Sequence, residues 1–168
     1  MKKTPNKIKK QIEAWLLNYK KKQRDKFNGY EGFTFFDLLT INEKESIKSK
    51  VNLRYLEIPV LVLKIKMETH ILNTTERFVY IDGIKEESIE YKDFEYHSGY
   101  KHIFGKGNSV ARKRSIKQNG GFQDFGLRKR SGDVIFWTIP TGDDGFAFWN
   151  VTKKCELIGR KYDIEKNI

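Results

Sequence analysis

At 168 residues the chain is long enough for one domain with a sizeable core, and its 38% hydrophobic and 14% aromatic residues exclude a disordered chain despite 33% charged residues. A single cysteine, Cys155, excludes a disulfide framework and a thiolate zinc site; it points to a reducing compartment, with the cytoplasm as the expected location. The net charge of +11 is segregated, with residues 1–30 and 98–131 each at +8, residues 31–97 at −4 and residues 132–168 at −1, whereas a plain solubility surface would mix the signs.

The opening MKKTPNKIKK has the charge of a signal peptide, but the next apolar cluster, at 14–17, is too short for one, and no membrane partner is expected. The longest apolar run, 58–63, is broken by Pro59 and is strand-sized. Thr4-Pro5 starts a helix: threonine accepts from the free N–H groups and proline fits the first turn. Ile8, Ile12, Trp15, Leu16 and Tyr19 form its apolar stripe, and the helix is expected to run to about Lys26 and stop near Asn28-Gly29. Lysines that include Lys9, Lys10 and Lys20 take the other positions. They are either a face laid toward a phosphate backbone or the solvated side of an ordinary amphipathic helix, with a membrane-surface helix as a third reading.

Phe33, Phe35, Phe36, Leu38 and Leu39 form an apolar plug, and a short capped helix is expected from Asn42, acidic early and basic late. Strands are expected over 55–67 and 77–82. A third, over 88–96, changes period after Lys92 as a bulge would. Further strands are expected over 134–139, 146–151 and 156–162, the first two joined by a PTGDDG hairpin turn. The fold class is α+β: an N-terminal amphipathic helix, 1–28, packed on a body, 29–168, built on a mostly antiparallel, strongly twisted sheet or partial barrel. A long basic loop, 98–131, interrupts that sheet.

The loop holds Lys101, Lys106, Arg112, Lys113, Arg114, Lys117, Arg128, Lys129 and Arg130 against the single acid Asp124, with clustered glycines and aromatics. Positive charge, a glycine-rich backbone and flat rings suit a phosphate backbone with exposed bases. Tyr100, Phe122, Trp137 and Trp149 are the stacking candidates. Each tryptophan follows a phenylalanine that an extended strand would point to the opposite face.

One arrangement hints at catalysis. Asp82 ends a strand and Glu90-Tyr91-Lys92 lies in the next, so that Glu90 and Lys92 share a face. This resembles the PD-(D/E)xK nuclease core. The resemblance implies that the two carboxylates hold Mg²⁺ and that Lys92 orients the attacking water. The chain departs from that pattern in having no proline before Asp82 and no flanking βαβ unit. His97 and His102, beside Lys101 and Lys106, have the residue types of a metal-free acid/base pair for RNA cleavage. No His/Cys/Asp spacing suits zinc, and GKGNS at 105–109 lacks the order of a phosphate loop, so no cofactor is expected beyond Mg²⁺ under the nuclease reading.

Three readings follow. The first is a small cytoplasmic, non-catalytic protein that binds DNA or RNA through the 98–131 loop and the N-terminal helix. The second is the metal-dependent nuclease. The third is a regulator or inhibitor that docks on an acidic or nucleoprotein partner, of the lysine-rich kind frequent on phages and mobile elements.

Overall fold

The computed structural model describes residues 1–27, 32–101 and 121–164. The fold is α+β, with helices on mostly antiparallel sheets and no closed barrel among the described residues. Strand β1 (Lys2–Lys3) leads into helix α1 (Pro5–Lys20), where the Thr4 hydroxyl accepts from Lys7 N and Pro5 occupies the first turn. Ile8, Ile12 and Leu16 are fully buried. The helix stops at Lys21, in the left-handed conformation at φ 52°, short of the expected Lys26; a separate 3₁₀ turn covers Arg24–Lys26.

Strands β2 (Phe33–Phe35), β3 (Pro59–Lys66), β4 (Thr69–Thr74), β5 (Arg77–Asp82) and β6 (Lys85–Glu90) form an antiparallel sheet in the order β2-β3-β4-β5-β6. The period-2 alternation divides its side chains between two cores. Leu61, Leu63, Ile71, Phe78 and Ile89 join the main core, which also takes in the apolar stripe of α1. Val62, Leu72, Val79 and Ile81 face the other way, onto Phe36, Leu39, Ile47 and Val51. Ile47 belongs to helix α2 (Ile41–Lys50), whose capping box is reciprocal: Thr40 Oγ1 accepts from Glu43 N and Glu43 Oε2 from Thr40 N. The cap is therefore Thr40, two residues before the expected Asn42.

A second antiparallel sheet, β7-β8-β9, comprises β7 (Phe94–Tyr100), β8 (Phe122–Lys129) and β9 (Val134–Pro140). The last eight residues of the expected basic loop before its hairpin turn are thus a paired central strand. Helices α3 (Asp143–Thr152) and α4 (Cys155–Lys161) follow, where strands were expected. Asp143 and Asp144 lie in the first turn of α3, where carboxylates complement the helix dipole, so PTGDDG is a helix start and no hairpin. The short strand β10 (Asp163–Ile164) pairs in parallel with β1. No described helix is long and apolar enough to cross a membrane.

The period change after Lys92 marks the place where the chain leaves one sheet for the other. Residues 91–93 form a turn, with the Tyr91 hydroxyl donating to Thr74 O at 2.7 Å and the Phe78 ring edge-on to both Tyr91 and Phe94. Helix α4 presses on this turn so closely that a Cβ at Gly159 would lie 1.9 Å from Tyr91 O.

Candidate nucleic-acid interface

The inner face of β7–β9 is core: Phe94, Phe125, Leu127, Trp137 and Ile139 are buried, and α3 packs on them through Phe148 and Trp149. Alternation then obliges their neighbours to face outward. On β8 these are Phe122, Asp124, Gly126 and Arg128. The register sets them opposite Pro140, Thr138, Phe136 and Val134 of β9, with Tyr96 of β7 opposite Arg128. Three large rings therefore stand on one face: Tyr96 is 47% exposed, Phe122 47% and Phe136 45%.

Each ring has a cation beside it. The Arg128 guanidinium lies 5.7 Å from the Tyr96 centroid, Lys101 Nζ 4.9 Å from Phe136, and Lys66 Nζ, reaching over from β3, 5.7 Å from Phe122. These distances are within cation–π range. Between the rings Gly126 is buried under its neighbours: a Cβ there would fall 2.0 Å from Ser98 Oγ and 3.2 Å from Phe136 Cε1. Two acids temper the charge: Glu95 accepts from Arg128 at 3.1 Å, and Asp124 accepts from the Thr138 hydroxyl at 3.1 Å.

The expected site residues are distributed differently from the sequence expectation. Phe122 is on the face. Tyr100 is buried and donates its hydroxyl to Pro140 O at 2.6 Å, Trp137 is buried and stacked on Tyr80, and Trp149 packs edge-on against Phe125. These three are core, because the outward member of the 136/137 pair is the phenylalanine. Residue 149 lies on a helix, where its neighbour Phe148 and it both turn inward.

Arg130 is spent within the fold. Its Nε donates to Lys92 O at 3.0 Å, its Nη2 reaches Glu156 at 3.5 Å, and its backbone N donates to Asp93 O. Lys129 is half-buried beside the β8–β9 turn. Lys106, Arg112, Lys113, Arg114, Lys117 and His102 lie outside the described residues.

The two basic segments do not meet among the described residues. Helix α1 packs against α3 and β3, and α3 lies on the inner side of β7–β9, so the outer face points away from α1. Lys9 is paired with Asp37 at 2.6 Å, Lys10 is exposed and Lys20 is half-buried.

The nuclease-like set does not assemble. In the β5–β6 hairpin Asp82 sits opposite Lys85 at the turn, whereas Glu90 sits opposite Arg77 at the far end. Five residues of strand place them roughly 16 Å apart, too far to share a cation. Glu90 is held by Arg54 at 2.6 Å and Lys92 at 3.1 Å, and the Arg54 hydrogen bond leads in lowering its carboxyl below the usual range. Asp82 accepts from Thr69 at 3.0 Å, and no metal-binding group of three or more His, Cys, Asp or Glu occurs among the described residues.

The acid/base assignment of His97 is also corrected. Its ring is buried among Phe78, Phe94, Phe125 and Phe148, and Nε2 lies 2.8 Å from Thr152 Oγ1. Burial, with a smaller effect from Lys153, lowers its pKa to about 3, so it is a neutral core group and no proton shuttle.

Sequence reasoning missed Tyr96, Phe136 and Lys66. The signal for the first two was the alternation within 94–100 and 134–140, once those segments are taken as strands with Trp137 inward. Nothing in the sequence links Lys66 to Phe122, since strands of different sheets bring them together.

No protein-family model, curated protein or solved structure matches the chain. Function rests on the residues themselves.

Proposed function

We propose that the protein is a small non-catalytic nucleic-acid-binding protein that takes its ligand on the outer face of β7–β9. Tyr96, Phe122 and Phe136 stack on bases, while Lys66, Lys101 and Arg128 meet phosphates. The observation that carries this reading is the repetition: three half-exposed rings on one sheet face, each with a cation alongside. A lone exposed aromatic is ordinary, but rings and cations repeated across a flat strand surface match what unpaired bases and their backbone require. Lys106, Arg112, Lys113, Arg114 and Lys117 follow Lys101 in the sequence and would add positive charge to the same reading. A cytoplasmic place of action belongs to it, as does the association of such lysine-rich composition with phages and mobile elements.

Fluorescence anisotropy with labelled oligonucleotides of about 16 nucleotides tests the reading. If three cations each neutralise one phosphate on a single strand, affinity falls about 18-fold between about 50 and 200 mM salt. Phe136→Ala, on an exposed position, is expected to weaken binding about 5- to 150-fold, the value of one stacked base. An affinity that is absent, or indifferent to both salt and Phe136, defeats the proposal. Co-purification of a defined protein partner without nucleic acid would reassign the face to protein recognition.

A further inference from the structure

A cleft of about 510 Å³ lies between the N-terminal half of α2 and the β3–β4 hairpin, lined by Asn42, Ser46, Ile47, Lys66, Met67 and His70. That volume is in the ordinary range for a small ligand and is ample for one nucleotide. Its walls combine two kinds of surface. Ile47 is buried at the back, and Met67 stands 93% exposed at the mouth, an unusual place for a long apolar side chain. Between them the Asn42 amide, the Ser46 hydroxyl and both His70 ring nitrogens make no hydrogen bond among the described residues. Asn42 and Ser46 are four apart on α2 and so project on one side of the helix, toward His70 of β4.

The electrostatics suit a neutral, edge-presenting ligand in the cleft with an anion at its mouth. Burial first, then the charges of Lys64 and Lys50, hold the His70 imidazole below its ordinary range, with Glu43 opposing. At neutral pH it therefore offers one N–H and one lone pair, the combination that a base edge can use. Lys64 is engaged with Glu43 at 2.9 Å, which leaves Lys66 as the cation at the opening. Lys66 is also the residue beside Phe122, so the cleft begins where the aromatic face ends.

We infer that this cleft takes one unpaired base of a strand whose neighbouring bases lie on the β7–β9 face, so that the ligand is single-stranded and one position in it is read by its edge. The inference rests on the proposed function. The base enters between Ile47 and Met67, Asn42, Ser46 and His70 contact its edge, and the adjoining phosphate lies on Lys66. A duplex cannot satisfy this geometry without unpairing, because its base edges are occupied.

The test is anisotropy with labelled single-stranded homopolymers of each base, as RNA and as DNA, and with a duplex of the same length. The wild type is expected to favour single strands over duplex and to prefer one base by about 5- to 150-fold, the discrimination that a well-made edge contact gives. The RNA and DNA arms identify the sugar. Ser46→Trp fills the cleft from an exposed helix position and is expected to abolish the base preference while salt-dependent binding persists; Asn42→Ala is expected to reduce the preference. Near-UV circular dichroism confirms that the variants fold. Equal affinity for duplex, or an unchanged base preference in Ser46→Trp, overturns the inference and leaves the proposed function standing. Failure of the wild type to bind any oligonucleotide removes both.

Discussion

Arg77→Met is expected to lower the unfolding free energy by about 3–5 kcal/mol, the penalty for leaving one member of a buried ion pair without the other. Both side chains are shielded from water, and the contact is two-pronged: Arg77 Nε to Glu57 Oε1 at 2.8 Å and Nη2 to Oε2 at 3.2 Å. Glu57 also accepts from the Thr74 hydroxyl at 2.7 Å and from Arg54 N at 2.8 Å, while Arg77 donates to Asn52 O, Glu86 and Ser88. The pair thus ties residues 52–57, which have no strand pairing, to the β4–β5 hairpin. Burial pushes the Glu57 carboxyl up, but the bonds from Arg77, Arg54 N and Thr74, with the charge of Arg77, overcome it and hold the group below the usual carboxylate range.

A depressed carboxyl contributes stability above its unfolded value and loses it as pH falls through its folded value. Without Arg77 the burial effect prevails and the sign reverses, so the deficit of the variant should shrink toward pH 4. Urea midpoints read both effects. Replacing both partners, Glu57→Leu with Arg77→Met, is expected to recover most of the loss, because paired apolar substitution of a buried ion pair is often near neutral. A single variant that loses less than about 1 kcal/mol would show the pair to be solvated.

Acid should destabilise the protein through His97. The Thr152 hydroxyl donates to Phe148 O at 2.6 Å, so Oγ1 is left to accept from the His97 Nε2–H. Nδ1 is then the bare nitrogen, buried with no hydrogen-bond partner. Protonation would put a charge and an unsatisfied donor into a cage of phenylalanine rings, which is why burial holds the folded pKa at about 3 against an ordinary 6.5. The unfolded chain binds the proton first, so stability is lost as pH falls through 6.5 and continues to fall until about 3. At 1.36 kcal/mol per pH unit this amounts to about 3 kcal/mol by pH 4. The other titrating groups, His70 among them, are common to wild type and His97→Leu, so the difference between their pH profiles isolates His97. The wild type should show the steeper loss between pH 6.5 and 4, and parallel profiles would falsify the assignment.

The sequence showed parts of the fold where one local rule had no competitor. Ile8, Ile12 and Leu16 recur at helical spacing after Thr4-Pro5, and α1 sits where that pattern puts it. The cap of α2 was legible in kind but displaced by two residues, since Thr40 and Asn42 are both good caps and each has a glutamate three residues on, Glu43 and Glu45, so local spacing does not choose between them. Strand β4, Thr69–Thr74, was missed because its polar ends hide an apolar centre that is buried by both layers. FAFWNV (146–151) and ELIGRKY (156–162) were misread as strands because aromatic and β-branched residues favour strands on average, whereas here they fill a helical face in the main core.

The basic segment was legible as charge and not as shape. Arg128 and Arg130 look alike in the sequence, yet one borders the aromatic face and the other clamps the turn at 91–93. The pairing of β8 between β7 and β9 decides which, and that pairing is non-local. The same holds for Asp82 and Glu90, whose separation depends on hairpin register that their spacing alone does not reveal.

The crowding over Gly126 at the centre of the outer face constrains what related chains can contain. A Cβ at 126 would fall 2.0 Å from the Ser98 hydroxyl, 3.2 Å from Phe136 and 3.3 Å from Val134, so a larger residue there requires its neighbours, Ser98 first, to give way. Among diverging relatives, residues 98 and 126 should covary, with loss of the hydroxyl at 98 wherever 126 gains a side chain. Variation on this face should be freest at its exposed rim, at 96, 122 and 136. Position 126 is then one whose change is tied to that of a residue 28 positions earlier in the chain.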